Sequence, residues 1–233
     1  MPDFSTRSYE KELLDRDDIP FKDIKRNMQE LEVINTRLGG HTITISGVKE
    51  ILKEKKRSFS ICEIGCGGGD NLKAIYNWCV KNNISVELTG IDINKDCIEY
   101  AKENCAELKY IEFITSDYKL VQFGTEKPVI IFSSLFCHHL DDRQFIEMLE
   151  WSKQNSTSGF FINDLHRHPV AYYFIKIVSR LFSKSYLVKN DAPLSVKRGF
   201  KRKEIEELLR KAGIKNFTIK WKWAYRWLII IKH

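Results

Sequence analysis

The fold is decided by the stretch Ile-Cys-Glu-Ile-Gly-Cys-Gly-Gly-Gly-Asp, residues 61–70. It starts in a short apolar run, residues 60–64, that is typical of a buried strand, and it ends where a helical pattern begins at Asp70. Glycines at 65, 67 and 69 allow a sharp turn and a close approach to a ligand, because glycine has no Cβ. The free N–H groups of the following helix would face that ligand. We therefore predict a ligand-binding loop between a strand and a helix, capped by Asp70.

The spacing of these glycines argues against a dinucleotide site. Such a site needs the pattern G-x-G-x-x-G, but the sixth position is Asp70 when counted from Gly65 and Leu72 when counted from Gly67. An acidic residue at the helix entry would also repel a pyrophosphate. A ligand that carries an ammonium and a sulfonium group suits the loop better, and a plain tight turn is the alternative.

Apolar runs alternate with amphipathic stretches downstream of the loop. This alternation predicts a parallel sheet covered by helices on both faces. Two final runs, joined by a tight turn at residues 223–226, predict an antiparallel hairpin that closes the sheet. The predicted strands are Ser60–Ile64, Val86–Ile91, Ile111–Thr115, Val129–Ser134, Gly159–Asn163, Asn216–Lys222 and Trp227–Lys232.

The two regions outside this alternation have different patterns. The first ~25 residues are charged and weakly patterned, which predicts a mobile tail or a loose helical arm, and helices are expected at about 24–38 and 46–56. After the fifth strand we expect an aromatic helix, Pro169–Phe182, then a loop containing Pro193 and Gly199, then a helix at about 201–211. We divide the chain into an N-terminal helical arm or cap, 1–57, and one α/β domain, 58–233, with an insertion at 165–200.

Composition limits the classes of function. The 233 residues have an ordinary hydrophobic fraction of 43% and a net charge of +7. The positive charge is spread along the chain, as in solvated helices, so we expect no nucleic-acid partner. No pair of the six cysteines has metal-ligand spacing, and we expect free thiols and no metal site. The acidic N-terminus lacks an apolar core, and no apolar run could span a bilayer, so we expect a cytoplasmic protein.

Two acidic residues follow the second and third predicted strands. Asp92 lies where a carboxylate accepts both hydroxyls of a ribose; the alternative is a helix cap, a role for which Asn94 is better placed. Asp117 could accept from an adenine amino group, and Tyr118 could cover the ring. The alternative for this pair is a polar loop.

These three motifs, in this order and spacing, resemble the class I S-adenosylmethionine-dependent methyltransferases over residues 58–165. The resemblance implies a Rossmann-like, doubly wound, seven-stranded sheet, mostly parallel with an antiparallel last strand. It implies S-adenosylmethionine as cofactor and S-adenosylhomocysteine as product. The methionine part of the cofactor would contact the glycine loop. The ribose would contact Asp92 and its neighbour, and the adenine would contact the loop after the third strand. The implied cofactor-binding residues are Glu63, Gly65, Cys66, Gly67, Gly69, Asp92, Ile93, Asp117, Tyr118 and Ser133.

The segment after the fourth strand, residues 132–140, contains the adjacent His138 and His139. The Asn-Pro-Pro-Tyr type of sequence found in amino methyltransferases is missing here. A phenol with a pKa near 10 must lose its proton before it attacks a methyl group, and a neutral histidine can take that proton. We expect that both imidazoles cannot easily face the same side, and we favour His139 over His138. The alternative is that one histidine caps the next helix and packs.

Polar residues also cluster after the fifth strand, where Asp164, His166 and Arg167 are further catalytic candidates. We expect Asp164 to orient or charge-balance His166 or Arg167; a surface loop with a salt bridge is the alternative. Residues 163–200 resemble, more loosely, methyltransferases that accompany type III polyketide synthases and are thought to modify phenols or phenolic lipids. The resemblance implies that the aromatic helix is a lid over the acceptor, with Tyr172 or Tyr173, Ile175, Val178 and Phe182 in one stripe. Ordinary packing and a peripheral membrane contact are the alternatives.

The sequence therefore predicts O-methylation of a small aromatic or lipid-like acceptor. A methyltransferase of quinone precursors or other small molecules shares the same core and stays open. A protein that binds the cofactor without using it is a second alternative. An RNA methyltransferase is a third alternative, which is suggested mainly by the net positive charge of the chain.

Overall fold

The computed structural model describes residues 2–16, 18–52 and 57–233. A seven-stranded sheet with the order β3-β2-β1-β4-β5-β7-β6 forms its centre. The first five strands pair in parallel, and β7 runs antiparallel to both β5 and β6, which confirms the predicted fold class. The strands are β1 Ser58–Ile64, β2 Ser85–Asp92, β3 Ile111–Thr115, β4 Ile130–Ser134, β5 Gly159–Leu165, β6 Thr218–Lys222 and β7 Arg226–Lys232.

Helices cover both faces of the sheet. Short 3₁₀ turns at 13–15, 118–120 and 137–139 complete the structure. The helices are α1 Phe21–Arg37, α2 Gly40–Leu52, α3 Asp70–Lys81, α4 Lys95–Asn104, α5 Asp142–Asn155, α6 Pro169–Phe182, α7 Tyr186–Arg198 and α8 Arg202–Lys211. No helix in the described ranges is both long enough and apolar enough to cross a bilayer.

Alternate residues of the central strands enter two separate cores. In β1, Cys62 and Ile64 pack with α5 and α8 on one face, whereas Phe59 and Ile61 pack with α2 and α3 on the other. This division follows from the two-residue period of a strand. Burial on both faces explains why the central strands are almost continuously apolar. It also fixes the register that brings the polar carboxyl ends of β1, β2, β4 and β5 to the same edge.

The N-terminal segment is better ordered than we expected. Arg7 and Glu12 are buried, and the N–H groups of Leu13 and Leu14 donate to the carboxylate of Asp191 on α7. The expectation of a mobile tail or a loose helical arm for the first ~25 residues is therefore wrong for 2–16. Its charged side chains find partners that are distant in the sequence, which a local pattern does not reveal.

Three local expectations also needed correction. Residues 186–198 form α7 and not a loop, and Pro193 lies inside this helix, because burial of one helix face outweighs the loss of one backbone hydrogen bond. Helix α2 starts at Gly40, well before 46, and residues 53–56 of its predicted end lie outside the described residues. The N-cap of α3 is Gly69, with φ of +74°, and Asp70 is the first helical residue.

Candidate functional site

The glycine loop makes a tight concave turn between β1 and α3. Gly65 has φ of +69°, and a Cβ at this position would lie 2.3 Å from the ring of Phe136. The N–H groups of Gly65 and Cys66 both donate to the carbonyl of Ile91 on β2, which ties the loop to the neighbouring strand. Glycine is required at position 65 because both the backbone conformation and the space exclude a side chain.

Asp92 connects the loop to the end of β2. Its Oδ2 accepts from the N–H of Gly67 at 2.9 Å, and its Oδ1 accepts from the N–H of Asn94 at 2.9 Å. Burial raises the pKa of Asp92, and the backbone donors partly offset that rise. A carboxylate has about four lone-pair positions, so acceptor capacity remains for the hydroxyls of a ribose. The neighbouring Ile93 is 74% exposed and lines the cavity described below.

Glu63 lies buried beneath the loop. Its Oε1 accepts from Asn71 Nδ2 at 3.1 Å, whereas its Oε2 has no hydrogen-bond partner within the described part of the chain. Burial raises the pKa of Glu63 well above its usual value, and the nearby charge of Asp70 raises it further. An unpartnered carboxylate oxygen beneath a tight backbone turn fits the cationic methionine part of S-adenosylmethionine. These residues therefore fit the cofactor that the resemblance implies.

A cavity of about 750 Å³ lies at the carboxyl edge of the sheet, within the range usual for ligand sites. One wall consists of the glycine loop and Asp92, and another consists of the turn after β4. Apolar side chains from α1, α6 and α7 close the opposite side. The lining includes Cys66, Gly67, Asp92, Ile93, Met28, Ser134, His138, His139, Ile175 and Val196. One cavity can thus hold both a methyl donor and an apolar acceptor.

His138 and Asp164 form a buried pair at this edge. Nδ1 of His138 lies 2.8 Å from Oδ1 of Asp164, and the carboxylate also accepts from the N–H groups of His138 and Leu165. Burial opposes ionisation of Asp164, but the charge and hydrogen bond of His138 hold the pKa of Asp164 below its usual value. Asp164 thus orients His138, whereas we had expected it to orient or charge-balance His166 or Arg167.

His139 lies beside His138, with the ring centroids 4.4 Å apart. Both imidazoles direct Nε2 towards Glu12, at 3.6 Å for His138 and 3.8 Å for His139. Nδ1 of His139 lies 3.4 Å from Oδ1 of Asp15. The expectation that the two histidines could not face the same side is wrong, because the 3₁₀ turn and the positive φ of Leu135 redirect the chain after β4.

His166 belongs to a different environment. Its ring packs against Trp227, with centroids 4.7 Å apart, and it is not among the residues that line the cavity. Burial and the charge of His168 lower the pKa of His166 to about 4. The structure does not bring this candidate base to the site, because the chain turns away after Leu165.

Arg167 has a structural role. It is almost fully buried and makes five hydrogen bonds: two to Glu204 on α8, and one each to the carbonyls of Phe4, Ser5 and Gly199. A guanidinium has five N–H donors, so none remains for a substrate. Its expected catalytic role is not supported; Arg167 instead anchors the N-terminal segment against α8.

Five predicted cofactor contacts are not among the residues that line the cavity: Glu63, Gly69, Asp117, Tyr118 and Ser133. Tyr118 is buried between Phe136 and Trp151, so its ring is part of the core and does not cover a ligand. Ser133 contacts Cys137 Sγ at 3.1 Å, whereas its neighbour Ser134 lines the cavity, as strand alternation requires. Asp117 caps the following turn through the N–H of Lys119, and its contact with adenine stays a prediction.

Several residues of the site were not predicted from the sequence. Glu12 and Asp15 enter the cavity wall from the N-terminal segment. Arg198, at the end of α7, donates to the backbone carbonyls of both His138 and His139 and so fixes the turn. The N-terminal segment contains several acidic residues, and no local pattern distinguishes the two that contact the histidines.

The fold and this site are similar to those of the class I S-adenosylmethionine-dependent methyltransferases. Residues 61–155 match the model of the family described as "Methyltransferase domain". Among curated proteins, the chain is similar to the mitochondrial ubiquinone biosynthesis O-methyltransferase of Saccharomyces cerevisiae, with 29% identity over 124 residues. That match covers 52% of this chain and 38% of the yeast protein, so the chain spans well under half the length of this relative.

Solved structures share the fold at low sequence identity. Human N-acetylserotonin methyltransferase in complex with S-adenosylmethionine aligns with a TM-score of 0.64 and 18% identity, over 91% of this chain and 56% of that chain. Magnesium protoporphyrin IX methyltransferase from Synechocystis, also with bound S-adenosylmethionine, aligns with a TM-score of 0.58 and 13% identity, over 94% and 99% of the two chains. An S-adenosylmethionine-dependent methyltransferase from Aquifex aeolicus aligns with a TM-score of 0.59 and 17% identity, over 81% of this chain and 88% of that chain.

Proposed function

We propose that the protein transfers a methyl group from S-adenosylmethionine to an oxygen atom of a small aromatic or lipid-like acceptor. The proposal is carried by His138, which is held by the buried Asp164 and lines the same cavity as Asp92 and the glycine loop. The curated relative, by its name, is also an O-methyltransferase. Oxygen acceptors of weak acidity need a base, whereas a buried imidazole would serve little purpose for an amine that is already nucleophilic.

The reaction is a direct displacement. S-adenosylmethionine supplies a methyl group on a positively charged sulfur, which leaves as the neutral thioether of S-adenosylhomocysteine. The acceptor hydroxyl loses its proton, its oxygen forms the new C–O bond, and the C–S bond breaks. The imidazoles of His138 and His139 provide basic groups beside the acceptor space. Alignment of oxygen, carbon and sulfur in one cavity supplies much of the rate.

Two measurements test this function. Calorimetry should detect binding of S-adenosylmethionine, and absence of binding at millimolar cofactor would overturn the proposal. Incubation with methyl-labelled cofactor and a panel of phenols, catechols and quinone precursors should give a labelled product by mass spectrometry. Cofactor binding without transfer to any member of the panel would favour the non-catalytic alternative. Transfer to the quinone precursors alone would define the acceptor class.

The surface of α6 favours an acceptor that is drawn from a lipid phase. Its outward face carries a continuous exposed apolar stripe: Val170, Tyr173, Phe174, Ile177, Leu181 and Phe182. Between Leu165 and Asn190 the sequence contains no acidic residue, whereas Arg180, Lys184 and Lys189 are exposed. An apolar stripe flanked by basic side chains fits the surface of an anionic membrane. The residues of the predicted lid stripe do not all face the cavity. Ile175 lines the cavity, whereas Phe182 is 79% exposed.

Vesicle binding tests this contact. The protein should sediment with vesicles that contain anionic phospholipid and less with zwitterionic ones. Ile177→Glu and Leu181→Glu should each reduce binding strongly. The control is Val80→Glu, which changes an equally exposed apolar residue on α3. Equal loss in the control, or no binding by the unmodified protein, would exclude a membrane contact through α6.

A further inference from the structure

The side chains of Glu12, His138 and His139 converge at the cavity wall. Each offers one ligand atom, and these three atoms lie within 4.8 Å of one another. Glu12 comes from the N-terminal segment and the histidines come from the turn after β4, so the fold creates this cluster from distant parts of the chain. We expected no metal site, but that expectation considered only the spacing of the cysteines.

The distances fit ligation better than hydrogen bonding. Nε2 of His138 lies 3.6 Å from one oxygen of Glu12, and Nε2 of His139 lies 3.8 Å from the other. Both separations exceed a hydrogen bond. Two ligands of a tetrahedral ion with bonds of 2.0–2.2 Å stand about 3.4 Å apart. The three groups therefore surround a position that a small cation can occupy after minor rotation of the side chains.

The opposite ring nitrogens provide a second, independent observation. Nδ1 of His138 is held by Asp164 at 2.8 Å, and Nδ1 of His139 faces Asp15 at 3.4 Å. A carboxylate behind each imidazole fixes the neutral tautomer whose Nε2 is free, which is how metal-bound histidines are usually supported. Glu12 also has a supporting hydrogen bond, because Ser195 Oγ donates to its Oε1 at 2.7 Å.

The local charge also favours a cation. Glu12, Asp15 and Asp164 surround the two imidazoles, and the guanidinium of Arg198 is the nearby positive charge, 3.7 Å from Asp15. Arg7 also approaches the His138 carbonyl but forms an ion pair with Asp142. Three carboxylates thus face the two imidazoles, and a cation bound between them would offset their mutual repulsion.

We propose that Glu12, His138 and His139 bind one divalent transition-metal ion of the zinc type, with an open position towards the cavity. Two imidazoles and one carboxylate are a ligand set of catalytic zinc sites. The two nitrogen ligands disfavour magnesium and calcium, which prefer oxygen. In the O-methylation proposed above, on which this role depends, the ion would bind the acceptor oxygen and lower the pKa of its hydroxyl. The histidines would then act as ligands in place of the role as bases given above, because the ion itself activates the hydroxyl, and the proton leaves to solvent.

Cobalt(II) is a suitable probe because its visible absorption reports both binding and a four-coordinate geometry. Protein treated with a chelator and then titrated with Co²⁺ should bind one ion per chain, and Zn²⁺ should displace it. Glu12→Gln, His138→Asn and His139→Asn should each weaken binding by at least about tenfold. The matched control is His166→Asn, which changes a histidine outside the cluster and should bind Co²⁺ normally.

Calorimetry with S-adenosylmethionine on the same samples shows whether each variant is folded and keeps the two proposals separate. Cofactor binding without Co²⁺ binding, or Co²⁺ binding that survives Glu12→Gln, would overturn the metal site and leave methyl transfer standing. Co²⁺ binding without cofactor binding would overturn the methyl-transfer proposal and leave the metal site standing. In the methyl-transfer assay, chelation should lower turnover and Zn²⁺ should restore it, whereas unchanged turnover would exclude the ion from the reaction.

Discussion

Asp164 and His138 form a buried contact of 2.8 Å between the ends of β5 and β4. Burial opposes ionisation of Asp164, but the neighbouring imidazole of His138 lowers the pKa of Asp164 below its usual value. The pair fixes which ring nitrogen of His138 is free and aims that nitrogen into the cavity. The pair therefore ties the ends of two neighbouring strands to the wall of the cavity.

Replacement of Asp164 should separate catalysis from cofactor binding. Asp164→Asn keeps the size of the side chain but removes the charge, so His138 loses its preferred tautomer. Turnover should fall by about 10²-fold, while the affinity for S-adenosylmethionine changes less than about threefold. Steady-state kinetics and calorimetry measure the two effects. An equal loss of affinity and turnover would mean that Asp164 supports only the fold.

Substitution of Gly65 should damage the cofactor site. In Gly65→Ala the new Cβ would meet Phe136 at 2.3 Å, at a φ of +69°. We expect the dissociation constant for S-adenosylmethionine to rise by at least about tenfold. Gly124→Ala is the control, because Gly124 also has a positive φ but nothing lies within 4 Å of its Cβ position. If both variants bind the cofactor equally, the loop does not hold it.

Arg167 should matter for stability and not for binding. Arg167→Met removes five hydrogen bonds and leaves Glu204 without its ion-pair partner. The free energy of unfolding should decrease by about 3 kcal/mol, as measured by denaturant titration. The affinity for S-adenosylmethionine of the folded fraction should stay unchanged. A selective loss of turnover without destabilisation would restore a catalytic role for Arg167.

His166 should make the protein less stable in mild acid. Its folded pKa, about 4, lies below its usual value, because burial and His168 disfavour the charged ring. The unfolded chain therefore binds the proton more readily, so the contribution of His166 is complete above pH ~6.5 and is lost as the pH falls towards 4. His166→Gln should reduce the loss of stability between pH 7.5 and pH 5 by on the order of 1–2 kcal/mol. An identical pH dependence in the variant would contradict this assignment.

The strand pattern, the glycine loop and Asp92 were predictable because each depends on local sequence. Short apolar runs indicate β1 to β5, and only glycine accommodates the turn at Gly65. The helical conformation at Pro193 was not predictable in this way, since burial of α7 against other elements overrides the local preference of proline. The roles of His166 and Arg167 were also misjudged, because adjacent residues after β5 point into different environments.

The amino-acid sequence was enough to predict the class of fold and a loop that would bind the methyl donor, since both follow from short-range periodicity and from backbone conformations that few residues adopt. Only the tertiary structure decided which acidic residue meets which histidine. Glu12 and Asp15 reach the site through a segment with no regular pattern, and Asp164 selects His138 because their strands are neighbours in the sheet. Contacts between distant segments depend on the complete packing of the chain, and they form the part of the cavity wall that contains the two histidines.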